Sequence, residues 1–200
     1  MTTNVFFPSS QDRLLVVLAR DKNTVDLKGV LRKLGVTSDC QVYQDEKTSI
    51  IFCLLDSATI DKADFDFGLG LECRLYSTQD PIVASGFIEL PTSHILVSVA
   101  MTPNASSEKA FNDWYKKEHI PMLSRVPGWL ASRRFNLISS TAETPKYLAL
   151  HAWVSMSVFE RSEYEAAVDT PWRTEIIDQV IERERFLLKV QPAASEVEGT

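Results

Sequence analysis

From Pro91 onward the chain switches between strand and helix periodicity in an order that few folds can use. HILVSVAM reads as a strand, and Ser106 to Val126 as an amphipathic helix with Phe111, Trp114, Tyr115 and Met122 on one side and Pro121 and Pro127-Gly128 as its stops. WLASRRFNLIS and KYLALHAWVS are strands around the loop SSTAETP. Ser157 to Glu182 is helical with a break at Thr170-Pro171, and RFLLKV is the last strand. The order β-α-β-β-α-β is that of a ferredoxin-like unit built on one antiparallel sheet.

The first half is a reduced copy. RLLVVLAR is a strand, Asp26 to Leu34 a short helix with Gly35 as its stop, CQVYQ and SIIFCLLD a hairpin around DEKT, and LECRLYS a fourth strand after the weakly patterned stretch 57–70. The expected fold class is α+β. Residues 1–90 form the reduced half, 91–192 the complete one and 193–200 a polar tail, and the two open sheets cover one another as a pseudo-dimeric α/β barrel.

A net charge of −6 leaves no basic footprint for nucleic acid. The first residues contain no apolar core of a signal peptide, and no apolar run reaches the ~18–20 residues that span a bilayer. Cys40, Cys53 and Cys73 make neither an even set nor a CxxC pair. They read as buried free thiols, which points to a reducing, cytoplasmic setting.

The run Phe111-Asn112-Asp113-Trp114-Tyr115-Lys116-Lys117-Glu118-His119-Ile120-Pro121, with Val126-Pro127-Gly128-Trp129 and Arg133-Arg134-Phe135 after it, resembles the first-helix signature of EthD-like proteins. These belong to the dimeric α/β-barrel superfamily, and the resemblance covers about half the chain. It implies two ferredoxin-like sheets with helices outside and a ligand cavity between them. Members include cofactor-free monooxygenases, decarboxylases and cyclases of aromatic polyketides, besides haem-binding branches and proteins without demonstrated chemistry. In the first half DLKGVLRKLG stands where the signature helix would be, so one of two sites is expected to be missing.

Candidate chemistry gathers in the second half, which holds every tryptophan and histidine of the chain. His119 suits proton transfer at cellular pH and precedes a proline, where a helix C-terminus would favour its charged form; it reads equally as a cap of the last turn. Tyr115 lies one turn earlier on the same face. On KYLALHAWV, alternation puts Tyr147, His151 and Trp153 on one face and Leu148, Leu150 and Ala152 on the other. The aliphatic face is expected to meet the helices and the mixed face to look into the barrel as a pocket wall, although His151 serves as well as a core histidine. Ser98 is expected close to His151, without the G-x-S-x-G elbow of a hydrolase. Of Arg133 and Arg134 one faces the cavity, and Arg133 is taken as the group that would bind a carboxylate or enolate. Neither metal-ligand spacing nor a phosphate-binding glycine loop is present.

The expected function is a cofactor-independent enzyme acting on a hydrophobic polyketide or terpenoid intermediate by cyclisation, isomerisation or decarboxylation, as a monomer or homodimer. The alternatives are a non-catalytic binding or assembly module, and a haem-binding or cofactor-free monooxygenase.

Overall fold

The structure is a computed structural model that describes residues 6, 13–21, 29, 40–55, 71–79 and 81–190. The expected helix at Asp26 to Leu34 falls outside the described residues apart from the helical Gly29, as do the stretch 57–70 and the tail.

Among the described residues nine strands form one sheet: β1 (Arg13–Ala19), β2 (Cys40–Gln44), β3 (Ser49–Leu55), β4 (Glu72–Thr78), β5 (Ile82–Val83), β6 (Ile95–Pro103), β7 (Trp129–Ser140), β8 (Tyr147–Trp153) and β9 (Val180–Val190). Their order is β4-β1-β3-β2-β9-β6-β8-β7-β5, and β4 pairs β7 as well. Each half therefore has the ferredoxin-like order 4-1-3-2, and the halves join edge to edge at β2–β9 and β4–β7. β5 lies along the same edge of β7 as β4. The result is an α+β fold of two ferredoxin-like halves closed into an α/β barrel, which removes the exposed edges that each sheet would otherwise present.

The barrel interior is filled by apolar side chains from both halves: Leu14, Val16 and Phe52 meet Leu96, Leu148 and Leu150. Pleating puts the alternate residues of β6 and β8 outside, under the helices, where Val97, Val99, Tyr147 and Trp153 form a second core. The face assignment expected from sequence is thus inverted. Two sheets facing each other enclose a drier space than a sheet and a few short helices, so the wholly aliphatic faces are the ones sealed inside.

The helices are short. α1 (Glu108–Trp114) runs into a π-helical turn at Tyr115–His119 and continues as α2 (Ile120–Leu123); a 3₁₀ turn (Met156–Glu160), α3 (Ser162–Val168) and α4 (Pro171–Ile177) precede β9. Pro121 was expected to end the first helix, and it does not. Ile120 N–H reaches back five residues to Tyr115 O, and the widened turn accommodates a proline that has no N–H to give. β9 starts at Val180, earlier than expected, because residues read as the end of a helix pair with β6 along its whole length. Gly128 turns the chain from α2 into β7 at φ 96°, and a Cβ there would come within 2.8 Å of Val154 and Val158, so only glycine fits the turn.

Cys40 and Cys53 are direct partners in the β2–β3 ladder and form a disulfide, with Cα atoms 4.2 Å apart. This corrects the expectation of three free thiols: Cys73 lies outside the disulfide and is buried. The inference of a reducing compartment rested on those thiols and loses its support. No helix among the described residues is long and apolar enough to cross a membrane.

Candidate functional site

Between the outer face of the second-half sheet and the helices lies a cavity of about 320 Å³, within the range of small-molecule pockets. β6 supplies its aliphatic floor through Val97, Val99 and Met101, and the π-helical turn brings Trp114, Tyr115 and His119 to one wall. A regular α-helix would set side chains 114 and 119 roughly 140° apart around its axis; the i→i+5 bonding of the wider π-helical turn brings them closer to one face and lets Trp114 stack on His119, with ring centroids 4.3 Å apart and planes at 23°. Tyr115 meets the same imidazole edge on at 5.3 Å.

His151 and Trp153 enter from β8. The His119 and His151 rings lie 5.8 Å apart at 88°, so two of the three histidines come together. The third, His94, stands elsewhere. Its Nδ1–H donates to Pro91 O at 2.7 Å, and its Nε2, 2.9 Å from the Tyr43 hydroxyl, ties the first half to the entry of β6.

Behind His151 is a relay that sequence reasoning missed. A bulge in β7 between Trp129 and Ala131 puts Trp129 and Ser132 on the same face although they are three residues apart. Trp129 Nε1–H donates to Ser132 Oγ at 3.0 Å, and Ser132 Oγ lies 2.7 Å from His151 Nδ1. Ser132 is fully buried, so its own proton needs an acceptor, and His151 Nδ1 is the one at hand. The satisfied arrangement runs from the indole to the hydroxyl to Nδ1, leaving the proton of neutral His151 on Nε2. That atom has no partner among the described residues; neither do His119 Nδ1, Trp114 Nε1 and Trp153 Nε1, all buried and all on residues that line the cavity. Native interiors seldom leave buried polar atoms unpaired, and their concentration at one cavity marks it as a place where a bound molecule supplies the partners.

Burial holds both imidazoles neutral. It is the main cause of the low pKa of His151, about 3, with Arg134 and Arg185 adding repulsion. Burial likewise takes His119 well below its ordinary value, followed by His151, Arg173 and Arg134. The imidazolium expected at a helix C-terminus is therefore absent, since the helix continues past His119 and the residue is only 9% exposed. Burial also pushes the Tyr115 hydroxyl up to about 12, against three arginines that lower it.

Of the residues singled out from sequence, the structure brings Tyr115, His119, His151 and Trp153 together at the cavity. Ser98 is not with them: it pairs with Leu150, and it is Val97 that stands opposite His151, so Ser98 points into the barrel. Arg133 shares that inward parity and donates Nε–H to Gln79 O at 2.6 Å. Arg134 is on the helix side instead, but its Nη2–H is held by Asn112 Oδ1 at 2.8 Å and its guanidinium lies 4.2 Å from the centre of the Tyr115 ring, behind the cavity wall. Tyr147 is spent under α1, its hydroxyl donating to Glu108. The cations at the cavity are Arg173 of α4 and Arg183 and Arg185 of β9. Thr170 caps α4 by accepting from Arg173 N–H at 3.1 Å while its hydroxyl donates to Glu118 at 2.6 Å, which fixes α4, and so Arg173, against the π-helical turn. Among the described residues no group of three His, Cys, Asp or Glu gathers that could hold a metal ion.

No family model and no curated protein matches the chain. Solved structures do. An anthrone oxidase-like protein is 13% identical with a TM-score of 0.61, covering 90% of this chain and 92% of its own. An uncharacterized ferredoxin-fold protein related to antibiotic biosynthesis monooxygenases, from Listeria monocytogenes, is 12% identical at 0.57, over 92% and 97%. A haem-degrading enzyme from Listeria monocytogenes is 11% identical at 0.52, over 90% and 99%. At such identities the likeness is one of fold, and it does not single out the EthD-like branch. The chain is similar to these proteins in being a ferredoxin-like α/β barrel.

Proposed function

We propose that this protein is an enzyme that needs no cofactor and acts on a hydrophobic aromatic or polyketide-like small molecule by moving a proton on carbon next to a carbonyl. The observation that carries the reading is the pair of neutral, partner-deficient histidines in one apolar cavity, one of them with its proton placed by the Trp129–Ser132 relay. His151 Nε2–H donates to the substrate carbonyl, in the manner of a neutral imidazole acting as electrophile. His119 accepts the adjacent C–H proton, leaving an enolate held by His151. The proton returns to another carbon, or the enolate carbon closes a ring; isomerisation and cyclisation share this first step, and decarboxylation reaches the same enolate by loss of carbon dioxide. Trp114, Tyr115 and Trp153 exclude water and hold the substrate flat, and such restriction by itself lowers a barrier by several kcal/mol.

His119 is a weak base while empty, and an anionic substrate offsets the repulsion from Arg173 and Arg134 that helps to weaken it. The similarity of fold to an anthrone oxidase-like protein and to a relative of antibiotic biosynthesis monooxygenases is compatible with aromatic substrates. It also keeps open the oxygenation of such an enolate by dioxygen. A haem reading has less support, because a tetrapyrrole is larger than a cavity of about 320 Å³ at the small end of ligand pockets. A Soret band in the purified protein would revive it.

The test is hydrogen–deuterium exchange of 2-tetralone in heavy water, followed by NMR. Exchange accelerated by the protein, lost in His119→Gln and reduced in His151→Gln with folding retained, is the expected result. Saturable binding of the ketone without accelerated exchange would instead make the protein a binding module.

A further inference from the structure

We infer that the mouth of the cavity is an anion subsite, and that the preferred ligand is an aromatic or polycyclic carboxylic acid whose carboxylate sits among Arg173, Arg183 and Arg185 while its rings go inward to His151 and Trp153. The inference deepens the functional reading above and rests on the same cavity.

The argument starts from a strand. Residues 181–185 of β9 read Ile-Glu-Arg-Glu-Arg, and a strand sorts such a sequence by parity. Glu184 pairs with Ala100 and faces the barrel interior, where it meets Arg74 and Arg20; Glu182 has the same parity and accepts from Thr102 at the strand end. Arg183 and Arg185 pair with Met101 and Val99 and so face the cavity. The pleat has thus placed every carboxylate of this stretch on one side and every guanidinium on the other.

Arg173 arrives from α4 to make a third cation, and no Asp or Glu among the described residues lines the cavity, in a chain with 27 acidic residues against 21 basic ones. The contrast with the other face of the same strand is informative. There Arg74 is bonded to both Glu72 and Glu184, and Arg20 to the same two carboxylates. At the cavity none of the three arginines makes an ion pair or a side-chain hydrogen bond with a described residue. Their field reaches the floor, since Arg173 repels charge on His119 and Arg185 repels it on His151.

A second, independent observation says that the space beyond them takes a ligand. Trp153 Nε1 and His151 Nε2 are buried without partners among the described residues, on residues 1% and 2% exposed. A molecule that satisfies both ends carries negative charge at the mouth, an apolar ring body against Val97 and Trp114, and an oxygen acceptor at its inner end. The planar fork of arginine matches a carboxylate in two parallel hydrogen bonds.

The experiment compares 2-naphthoate with its neutral counterpart 2-naphthamide, by quenching of tryptophan fluorescence and by calorimetry on the full chain. Naphthoate is expected to bind about tenfold more tightly, the low end for hydrogen bonds to a charged group at an open mouth. That margin is expected to shrink as salt is raised and to vanish in R183Q/R185Q, whose exposed, unpaired side chains carry no part of the fold, with naphthamide unaffected. Equal affinity for the two probes, or a preference that survives in R183Q/R185Q, overturns the anion subsite. If the probes bind equally and Trp153→Leu weakens both, the subsite falls and the cavity reading stands. If neither binds at millimolar concentration, both fall.

Discussion

Replacing Ser132 by alanine tests the relay that orients His151. The hydroxyl is fully buried and serves two partners, accepting from Trp129 Nε1 at 3.0 Å and donating to His151 Nδ1 at 2.7 Å. Its removal leaves an indole N–H without an acceptor and an imidazole nitrogen without a donor in a site closed to water. Each buried group so stranded costs about 1–3 kcal/mol. Two such groups together would cost about 2–6 kcal/mol, and the imidazole recovers part of its share by turning about χ2, so about 2–4 kcal/mol is expected. For a domain of this size that lowers the melting temperature by roughly 4–16 °C. Urea unfolding reads the loss as a shift of midpoint at unchanged slope, because the surface exposed on unfolding is the same. The second readout is the ¹⁵N spectrum of His151, which shows the proton on Nε2 in the parent and a shift towards Nδ1 in Ser132→Ala. A midpoint that hardly moves, or a parent spectrum with the proton already on Nδ1, refutes the relay and with it the role of His151 as donor.

Acid should destabilise the fold in a window set by the cavity histidines. Both are held neutral in the folded state, below the ordinary value of 6.5, so below that pH the unfolded chain binds protons that the folded one refuses. Stability contributed by each is whole above 6.5 and is lost as pH falls towards the folded value, with a limiting slope of about 1.4 kcal/mol per pH unit per histidine. Urea midpoints between pH 7 and 4.5 read this loss, and H119Q/H151Q should flatten it; the carboxylate of Glu72, lowered by its partners, acts only in a more acid range. Thiol titration of the unfolded, unreduced protein should find one reactive thiol, that of Cys73, and a second and third only after reduction. Three thiols before reduction would exclude the Cys40–Cys53 bond in the isolated protein.

The order of elements in the second half was legible because each one keeps a single period long enough to be read. What periodicity cannot say is which face of a strand points inward. Tyr147, His151 and Trp153 were grouped correctly, yet the sign of the face depends on whether the barrel or the helix layer is drier, and that is a property of both halves together. Ser98 and Arg133 do face the barrel interior, where the cavity was expected, but the cavity that Tyr115 and His151 line lies on the other side of the sheet and leaves both residues out. Ser132 needed the bulge at Trp129, for which the sequence carries no plain mark. The disulfide, in contrast, left a signal. Cys40 stands as far before Asp45 as Cys53 stands after Thr48, so a hairpin turning at DEKT puts them opposite one another whatever its twist. The charge alternation of Glu182 to Arg185 was equally readable as a strand, but the expected helix ended at Glu182 and the expected strand began at Arg185, which split it.

β9 is the element on which barrel and cavity meet, and one substitution separates their energetics. Glu184 faces inward and takes Nη1 of Arg74, a side chain 5% exposed that also holds Glu72 2.6 Å from its Nε. This network links β4 of the first half to β9 of the second across the barrel interior. Glu184→Gln keeps the shape of the side chain and removes its charge, leaving Arg74 with one carboxylate for two charged contacts. Removing one partner of a buried pair costs about 3–5 kcal/mol when nothing else compensates; Glu72 remains and Arg20 lies partly in solvent, so about 2 kcal/mol is expected in the urea midpoint. The same variant should leave the affinity for 2-naphthoate unchanged, because residues of even and odd number on β9 address opposite sides of the sheet and share only the backbone between them. If Glu184→Gln instead weakened naphthoate as much as R183Q/R185Q does, the field at the cavity would belong to the whole strand, and the sorting of charge by the pleat would not be what prepares the mouth for an anion.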